Sequence, residues 1–357
     1  MQRSEIKQKN MNILAKYHDE LCRHPQLRNL FLELTLKCNE RCFHCGSGCA
    51  ADQADGLPME DYVSVLENVK EHFGTGVYIA VTGGEPLMYG SFIPLIRTIH
   101  AMGFRWGMTS NATLITEEMA RLLHENGMYG ISVSIDGLPE THDRYRRTPG
   151  GFSRAMRGLQ NLIDEGGFGS IMVTTVVNHE NIRELPALFD IFTGIDINEW
   201  RLTGLEPIGR AMDHPDMLLT AEDNCRLMEF IAEKRRMKIP VEYSCCHYLG
   251  PEYEAEVRDW YFLCNAGVYT AGILANGDVT ACLDIPRNEK TIQGSIFDIP
   301  FDRIWNERFG IFREHLSGRN KACAACAHER FCRGGSYHSW DYENEQPKIC
   351  MKGILFS

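Results

Sequence analysis

Cys38-Asn39-Glu40-Arg41-Cys42-Phe43-His44-Cys45 sets three thiols in the order Cys-x3-Cys-x2-Cys. About forty residues on, Val77-Tyr78-Ile79-Ala80-Val81-Thr82 runs into Gly83-Gly84-Glu85-Pro86. The first stretch predicts a metal centre that protein ligands do not complete. A structural zinc or a simple electron-transfer cluster takes four protein ligands, so three thiolates in one loop leave a coordination position for something else. The second predicts a strand that ends in a backbone-exposing turn. A zinc loop closed by His44 or Cys49 is the competing reading, and it leaves Gly-Gly-Glu-Pro unexplained.

Working outward, residues 1–28 read as a helical, polar lead-in with Ile13, Leu14, Tyr17 and Leu21 at helical spacing. From Leu30 to Gly204, short β-rich runs alternate with amphipathic segments. Strands are predicted at Leu30–Leu36, Val77–Thr82, Phe104–Thr109, Gly130–Ile135, Ile171–Val177 and Glu199–Thr203. Helices are predicted between them at Met59–Phe73, Phe92–Met102, Glu117–Glu125, Phe152–Glu165 and Asn181–Phe192, with another at Ala221–Met237. This order gives an α/β fold, a partial (β/α)6 barrel, with candidate site residues at the carboxyl ends of its strands. The expected organisation is a lead-in at 1–28, the barrel at 29–215, a helical bridge at 216–259 and a small irregular cysteine-rich domain at 260–357.

Of 357 residues, 44% are hydrophobic and 24% charged, as in ordinary globular chains, and the formal net charge is -11. That charge, with no dense Lys/Arg cluster, argues against nucleic acid as a partner. No run approaches the ~18–20 apolar residues of a membrane span, and the polar start lacks the apolar core of a signal peptide, so no membrane association and a cytoplasmic location are expected. Fourteen cysteines in such a compartment point to metal rather than disulfides.

The two opening motifs resemble those of the radical S-adenosylmethionine (radical SAM) enzymes, whose signature is Cys-x3-Cys-x-aromatic-Cys followed by Gly-Gly-Glu-Pro. The resemblance implies a [4Fe-4S] cluster on Cys38, Cys42 and Cys45, with SAM on the fourth iron. It also implies that His44, in the place usually held by an aromatic, lies beside the adenine. Further strand-end segments fit the same relatives: Ser110 and Asn111 after the third strand, Ser134 and Asp136 after the fourth, then Arg146. With Gly83, Gly84, Glu85 and Pro86 these are the expected SAM-binding residues, Arg146 as partner of the SAM carboxylate. Read singly, Ser-x-Asp-Gly is as well a turn or helix cap and Arg146 a solvated charge. The sixth strand leads into Glu206-Pro207-Ile208-Gly209-Arg210-Ala211.

Toward the C-terminus come Cys245-Cys246, then Cys264-x12-Gly277-x4-Cys282, Cys323-x2-Cys326-x5-Cys332 and Cys350. This pattern resembles the SPASM domain of radical SAM enzymes, which holds up to two auxiliary [4Fe-4S] clusters through seven cysteines, and extends the resemblance over Leu30 to Cys350. By family topology Cys323, Cys326, Cys332 and Cys350 hold the outer cluster and Cys264 and Cys282 belong to the inner one. Ser336 stands where the seventh cysteine is expected. A serine oxygen, Cys245, Cys246 or nothing could close the inner set, so one or two auxiliary clusters are expected. A zinc ribbon on Cys323, Cys326, Cys332 and Cys350 is the competing reading. Cys22, Cys49 and Cys225 read as buried small hydrophobes.

The family cleaves SAM reductively to a 5′-deoxyadenosyl radical that takes hydrogen from an unactivated carbon, an oxygen-sensitive chemistry suited to anaerobic life. Auxiliary clusters imply an oxidative outcome. The resemblance therefore implies an oxidoreductase of the peptide-maturase type, acting on a peptide or protein, with an electron donor such as flavodoxin or ferredoxin. Only 37 residues precede Cys38, so leader recognition is expected to need a separate partner or the enzyme's own surface. Asp284 is the candidate general base. Sulfatase maturases place an Asp directly after the cysteine equivalent to Cys282, where this chain has Leu283, so formylglycine formation is the weaker alternative. A small-molecule cofactor precursor as substrate and a non-catalytic iron–sulfur carrier or redox sensor also stand open. A carrier has no use for Gly83, Gly84, Glu85 and Arg146.

Overall fold

The computed structural model describes residues 3–244 and 246–357; Cys245 lies outside the described residues. Helix α1 (Arg3–Arg23) leads into β1 (Asn29–Glu33), α2 (Met59–Phe73), β2 (Tyr78–Thr82), α3 (Phe92–Ala101), β3 (Trp106–Ser110), α4 (Glu117–Glu125) and β4 (Met128–Ser134). Then follow α5 (Pro139–Arg146), α6 (Gly151–Glu165), β5 (Ser170–Val177), α7 (Leu185–Thr193), β6 (Glu199–Gly204), α8 (Ala221–Arg236) and β7 (Val241–Tyr243). Strands β1 to β7 pair in parallel in sequence order, which confirms the partial barrel.

The remainder is built from short pieces: α9 (Gly250–Tyr253), β8 (Thr270–Ile273), β9 (Asp278–Thr280), β10 (Gly294–Ser295), α10 (Phe301–Glu307), α11 (Lys321–Ala324), α12 (Glu329–Cys332), β11 (Trp340–Asp341) and β12 (Gln346–Pro347). Strand β8 runs parallel beside β1, and β9 and β10 continue antiparallel, so one sheet of ten strands passes from barrel to cysteine-rich region. Its order, β10-β9-β8-β1-β2-β3-β4-β5-β6-β7, leaves the barrel open between β10 and β7.

One face of this sheet is packed and the other is polar. Leu32, Val81, Val133 and Val173 are buried with helix residues such as Leu66, Ile96, Leu123 and Leu159. In β5 the burial alternates strictly, and its half-buried Thr174 bonds Ser132 of β4 at 2.7 Å between hydroxyls. Ser134, two residues along the same face, opens on a cavity. A parallel sheet covered on both faces reads as continuous apolar runs, so this alternation marks the interior as a binding space.

Three sequence expectations shift. Strand β1 ends at Glu33 rather than Leu36: Leu34 N–H still bonds Thr82 O at 2.9 Å, and the chain then turns off through isolated bridges Thr35–Asp55 and Lys37–Ala50. The helix predicted over Asn181–Phe192 starts at Leu185, after a 3-10 turn at Asn181–Glu184. The Asn178 side chain accepts from Glu180 and Asn181 N–H there, and Pro186 suits a first turn. Helix α5, PETHDRYR, has too few apolar positions to announce itself. Among the described residues no helix is long and apolar enough to cross a membrane.

Candidate active site

The cysteine loop is laid onto the strand ends by backbone contacts. Cys38 N–H bonds Ala50 O at 3.1 Å, and Arg41 and Phe43 N–H bond the carbonyls of Arg146 and Tyr145 at the end of α5 at 3.3 and 3.0 Å. From the other side, Gly84 and Glu85 N–H bond Thr35 O and Lys37 O at 2.7 and 2.9 Å. A Cβ on Gly84 would stand 2.1 Å from Lys37 O and 3.0 Å from Cys38 Cβ, and Gly83, at φ 144°, would meet Thr35 O at 2.5 Å. The glycines are there because two backbones touch. Gly209 does the same below Cys45, whose carbonyl an added Cβ would meet at 2.4 Å.

These contacts enclose an open cavity of about 520 Å³. Of the residues expected from sequence, Cys38, Cys42, Cys45, His44, Gly83, Gly84, Ser110, Asn111, Ser134 and Arg146 line it. Glu85, Pro86 and Asp136 do not: they stand behind the wall and hold it. Glu85 takes Ser110 Oγ at 2.9 Å, Asn111 N–H at 2.9 Å and Leu87 N–H at 3.3 Å, tying the end of β2 to that of β3. Burial pushes its pKa up to about 7 against those donors. Asp136 accepts from Val176 N–H at 2.8 Å and from Arg146. Burial works to raise its pKa, but the Arg146 charge beside it holds the carboxyl below the usual carboxylate range.

Arg146 is not a waiting cation. Its guanidinium joins Asp136 at 2.6 Å and Glu40 at 2.7 Å, which commits three of its five N–H donors and leaves the rest for a ligand. His44 stacks on Tyr145 with ring centroids 4.6 Å apart and planes 9° from parallel. Burial lowers its pKa to about 4, so it presents a neutral flat ring.

Two neighbours stand outside the expected set of SAM-site residues. Arg210 binds Cys42 O at 2.8 Å through Nε and Cys49 O at 3.0 Å through Nη1, bracing the thiol loop from the turn after β6. Cys49, expected as a small hydrophobe, lines the cavity, and its thiol hydrogen bond with Cys45 is the leading reason that the Cys45 pKa falls to about 6. Only spacing tied either residue to the triad, and spacing does not report a contact made through a turn.

The cavity fits a cluster with a polar ligand. Glu40 Oε1, His44 Nδ1 and Arg210 Nη2 belong to residues that line it and are buried without hydrogen-bond partners. Buried polar atoms are ordinarily satisfied, so three orphans around one open space call for a partner that completes them. A second cavity of about 500 Å³ gathers Cys323, Cys326, Cys332 and Cys350, the set expected for the outer cluster. Cys264 and Cys282 both bear on Tyr342, whose phenol is raised first by burial and then by the Cys264 charge, with Cys282 adding. Ser336 is buried and places Oγ 3.3 Å from His338 Nε2. Asp284 is exposed beside the thiol loop, with Oδ1 3.8 Å from where a Cβ on Gly46 would lie.

Comparison with known proteins agrees. Residues 32–192 match the radical SAM superfamily and residues 264–327 the SPASM iron–sulfur cluster-binding domain. The AdoMet-dependent heme synthase of Methanosarcina barkeri is 27% identical over 340 residues, covering 88% of this chain and 94% of that protein. The mycofactocin maturase MftC of Mycobacterium tuberculosis is 28% identical over 312 residues, covering 85% and 76%. In structure, Streptococcus suis SuiB bound to S-adenosylmethionine superimposes with a TM-score of 0.73 at 18% identity over 93% of this chain and 77% of SuiB. Fold and cavity therefore define an enzyme that works through an iron–sulfur centre and SAM. The chain carries a radical SAM domain over residues 32–192 and a SPASM domain over residues 264–327. Such an enzyme uses a [4Fe-4S] cluster, SAM and auxiliary clusters.

Proposed function

We propose that Cys38, Cys42 and Cys45 hold the [4Fe-4S] cluster, that SAM fills the cavity beside it, and that the enzyme oxidatively modifies a peptide or protein, for instance by a crosslink. The observation that carries the reading is the set of three partnerless buried atoms around the thiol cavity, together with a separate four-cysteine cavity. When bound, cluster and SAM supply a reductively formed carbon radical able to take hydrogen from an unactivated carbon.

The chain's own residues do the rest. His44 and Tyr145 offer a neutral stacked face for a purine, and Asn111 and Ser134 offer short polar groups. Arg210 Nη2 and the uncommitted Arg146 donors favour the ligand's carboxylate. Gly83 and Gly84 let thiol loop and strand end close without a gap, which limits water. Asp284, on the solvent side of the thiol loop, is the candidate proton acceptor. Peptide substrates are supported by the MftC relative and by SuiB, also solved bound to the precursor peptide SuiA. Helix α1 does not reach out as a separate arm: Asp19 pairs with Arg333 at 2.6 Å and Lys7 with Glu256 at 3.0 Å. A separate leader-binding protein and a flavodoxin or ferredoxin donor complete the expected partners, in the cytoplasm.

A second reading, a small-molecule precursor, is favoured by the heme synthase relative that this chain matches over 94% of its length. Anaerobically reconstituted enzyme is expected to convert SAM to 5′-deoxyadenosine after reduction, and Cys42→Ala to abolish it. Turnover surviving in that variant would refute the site. A peptide product lighter by two hydrogens supports the first reading; a modified porphyrin precursor with untouched peptide supports the second.

A further inference from the structure

Outside the residues that line the SAM cavity, Glu206, Cys246 and His338 bring one carboxylate oxygen, one thiol sulfur and one ring nitrogen all within 4.8 Å of one another, and all three residues are buried. They come from three places: the turn after β6, the segment after β7 and the loop before β11. Among the described residues no other group of three such side chains is as tight. A thiol, an imidazole and a carboxylate form a mixed set that suits zinc or iron(II), and three protein ligands leave a fourth position open.

Each member is held as ligands usually are. His247 Nε2 binds Glu206 Oε1 at 2.5 Å, while Glu206 Oε2 is buried with no hydrogen-bond partner. That splits the carboxylate into one supported oxygen and one free oxygen. Cys246 Sγ has the hydroxyls of Thr203 at 3.1 Å and Ser244 at 3.0 Å beside it, and since Ser244 Oγ donates to Thr203 Oγ1 at 2.9 Å, the Thr203 proton is left for a thiolate. His338 has Ser336 Oγ 3.3 Å from Nε2, which orients the ring. One thiolate and one carboxylate with a neutral imidazole sum to the charge a divalent ion cancels, and a buried thiolate beside a carboxylate with one unpartnered oxygen would otherwise carry a desolvation cost.

From this geometry we infer that Glu206, Cys246 and His338 bind a single zinc ion that joins the barrel to the C-terminal domain. Water or an anionic substrate group takes the fourth position. Ser336 then has a role of its own. Where an auxiliary cysteine is expected, serine orients the histidine of a different metal site.

The test is zinc-edge X-ray absorption and metal analysis on the full chain, purified anaerobically with zinc supplied. One zinc per chain is expected, with a single sulfur at about 2.3 Å and nitrogen or oxygen at about 2.0–2.1 Å. Cys246→Ser and His338→Asn are each expected to cut zinc affinity by at least ~10-fold at unchanged iron content, and Cys225→Ser, on α8, to leave it alone. A shell of four sulfurs, no zinc at all, or loss of iron rather than zinc on Cys246→Ser would each overturn the inference. The absorption measurement on the unmodified chain decides even if a variant fails to fold. Failure here leaves the SAM site untouched, since Cys42→Ala reads that one.

Discussion

The two cysteine regions of this molecule are built in opposite ways. The Cys38–Cys45 loop has almost no regular structure of its own, yet it is clamped on every side by the strand ends of the parallel sheet, by the end of α5 and by Arg210. Cys38 and Cys42 are buried before any metal is considered. Cys323 and Cys332 sit instead on the four-residue helices α11 and α12, Cys326 lies between those helices, and Cys350 follows β12 outside any strand. The first three are half-buried and Cys350 is exposed. A sheet can prepare a site in advance; four-residue helices cannot, because isolated helices that short do not hold themselves. The first site should be scaffold that receives a cofactor, and the second should owe much of its order to the metal it holds.

That contrast breaks most visibly on removing metal. Chelation of the reconstituted enzyme is expected to strip hydrogen-exchange protection from residues 316–357, an effect on the order of 10 kcal/mol if the quartet behaves like a structural metal site. Strands β2 to β5 should keep theirs. Equal loss in both regions would show that the quartet is as preorganised as the N-terminal loop.

A smaller effect sharpens the other half. Gly84→Ala puts a methyl group 2.1 Å from the Lys37 carbonyl, which is backbone and cannot swing aside. The expected cost is about 3 kcal/mol in the unfolding free energy of the apo-protein, read by denaturant titration. Reconstituted Gly84→Ala should also hold less iron on the first site while the quartet keeps its own. A neutral outcome would mean that the loop is free to retreat, and that clamping is not what shapes it.

How much of this could be read in the sequence follows the same division. Helices Met59–Phe73 and Glu117–Glu125 appear with the boundaries their periodicity predicts, since one apolar stripe on a sheet settles a helix. The thiol triad, Gly83 and Gly84 were legible because they recur at fixed local spacing. What escaped depends on contacts across long separations. Arg210 meets Cys42 across 168 residues, and Glu206 meets His338 only after the C-terminal domain folds back on the barrel. Glu85 and Asp136 stand at the expected strand ends but behind the cavity wall, because a motif gives the position of a side chain and not which way it turns. Strands β7 to β10, at two to four residues, are too short for any period to register.

Glu85 also carries the finest measurable consequence. Three donors converge on its carboxyl group, and Gln can accept at only one oxygen while its NH2 faces a donor, so Glu85→Gln is expected to cost about 1–3 kcal/mol in the apo-protein. The cost should depend on pH in a defined sense. Burial lifts the folded-state pKa from 4.5 to about 7. A carboxyl raised on folding favours the fold below its unfolded pKa, and that contribution is lost as pH climbs through the folded value. Gln has nothing to titrate, so the gap between the two proteins should be widest below the unfolded pKa of 4.5 and narrow as pH climbs to about 7. Parallel pH curves would instead mean that the donors from Ser110, Asn111 and Leu87 outweigh burial and keep Glu85 ionised throughout. The end of β2 would then be held to β3 by a buried charge.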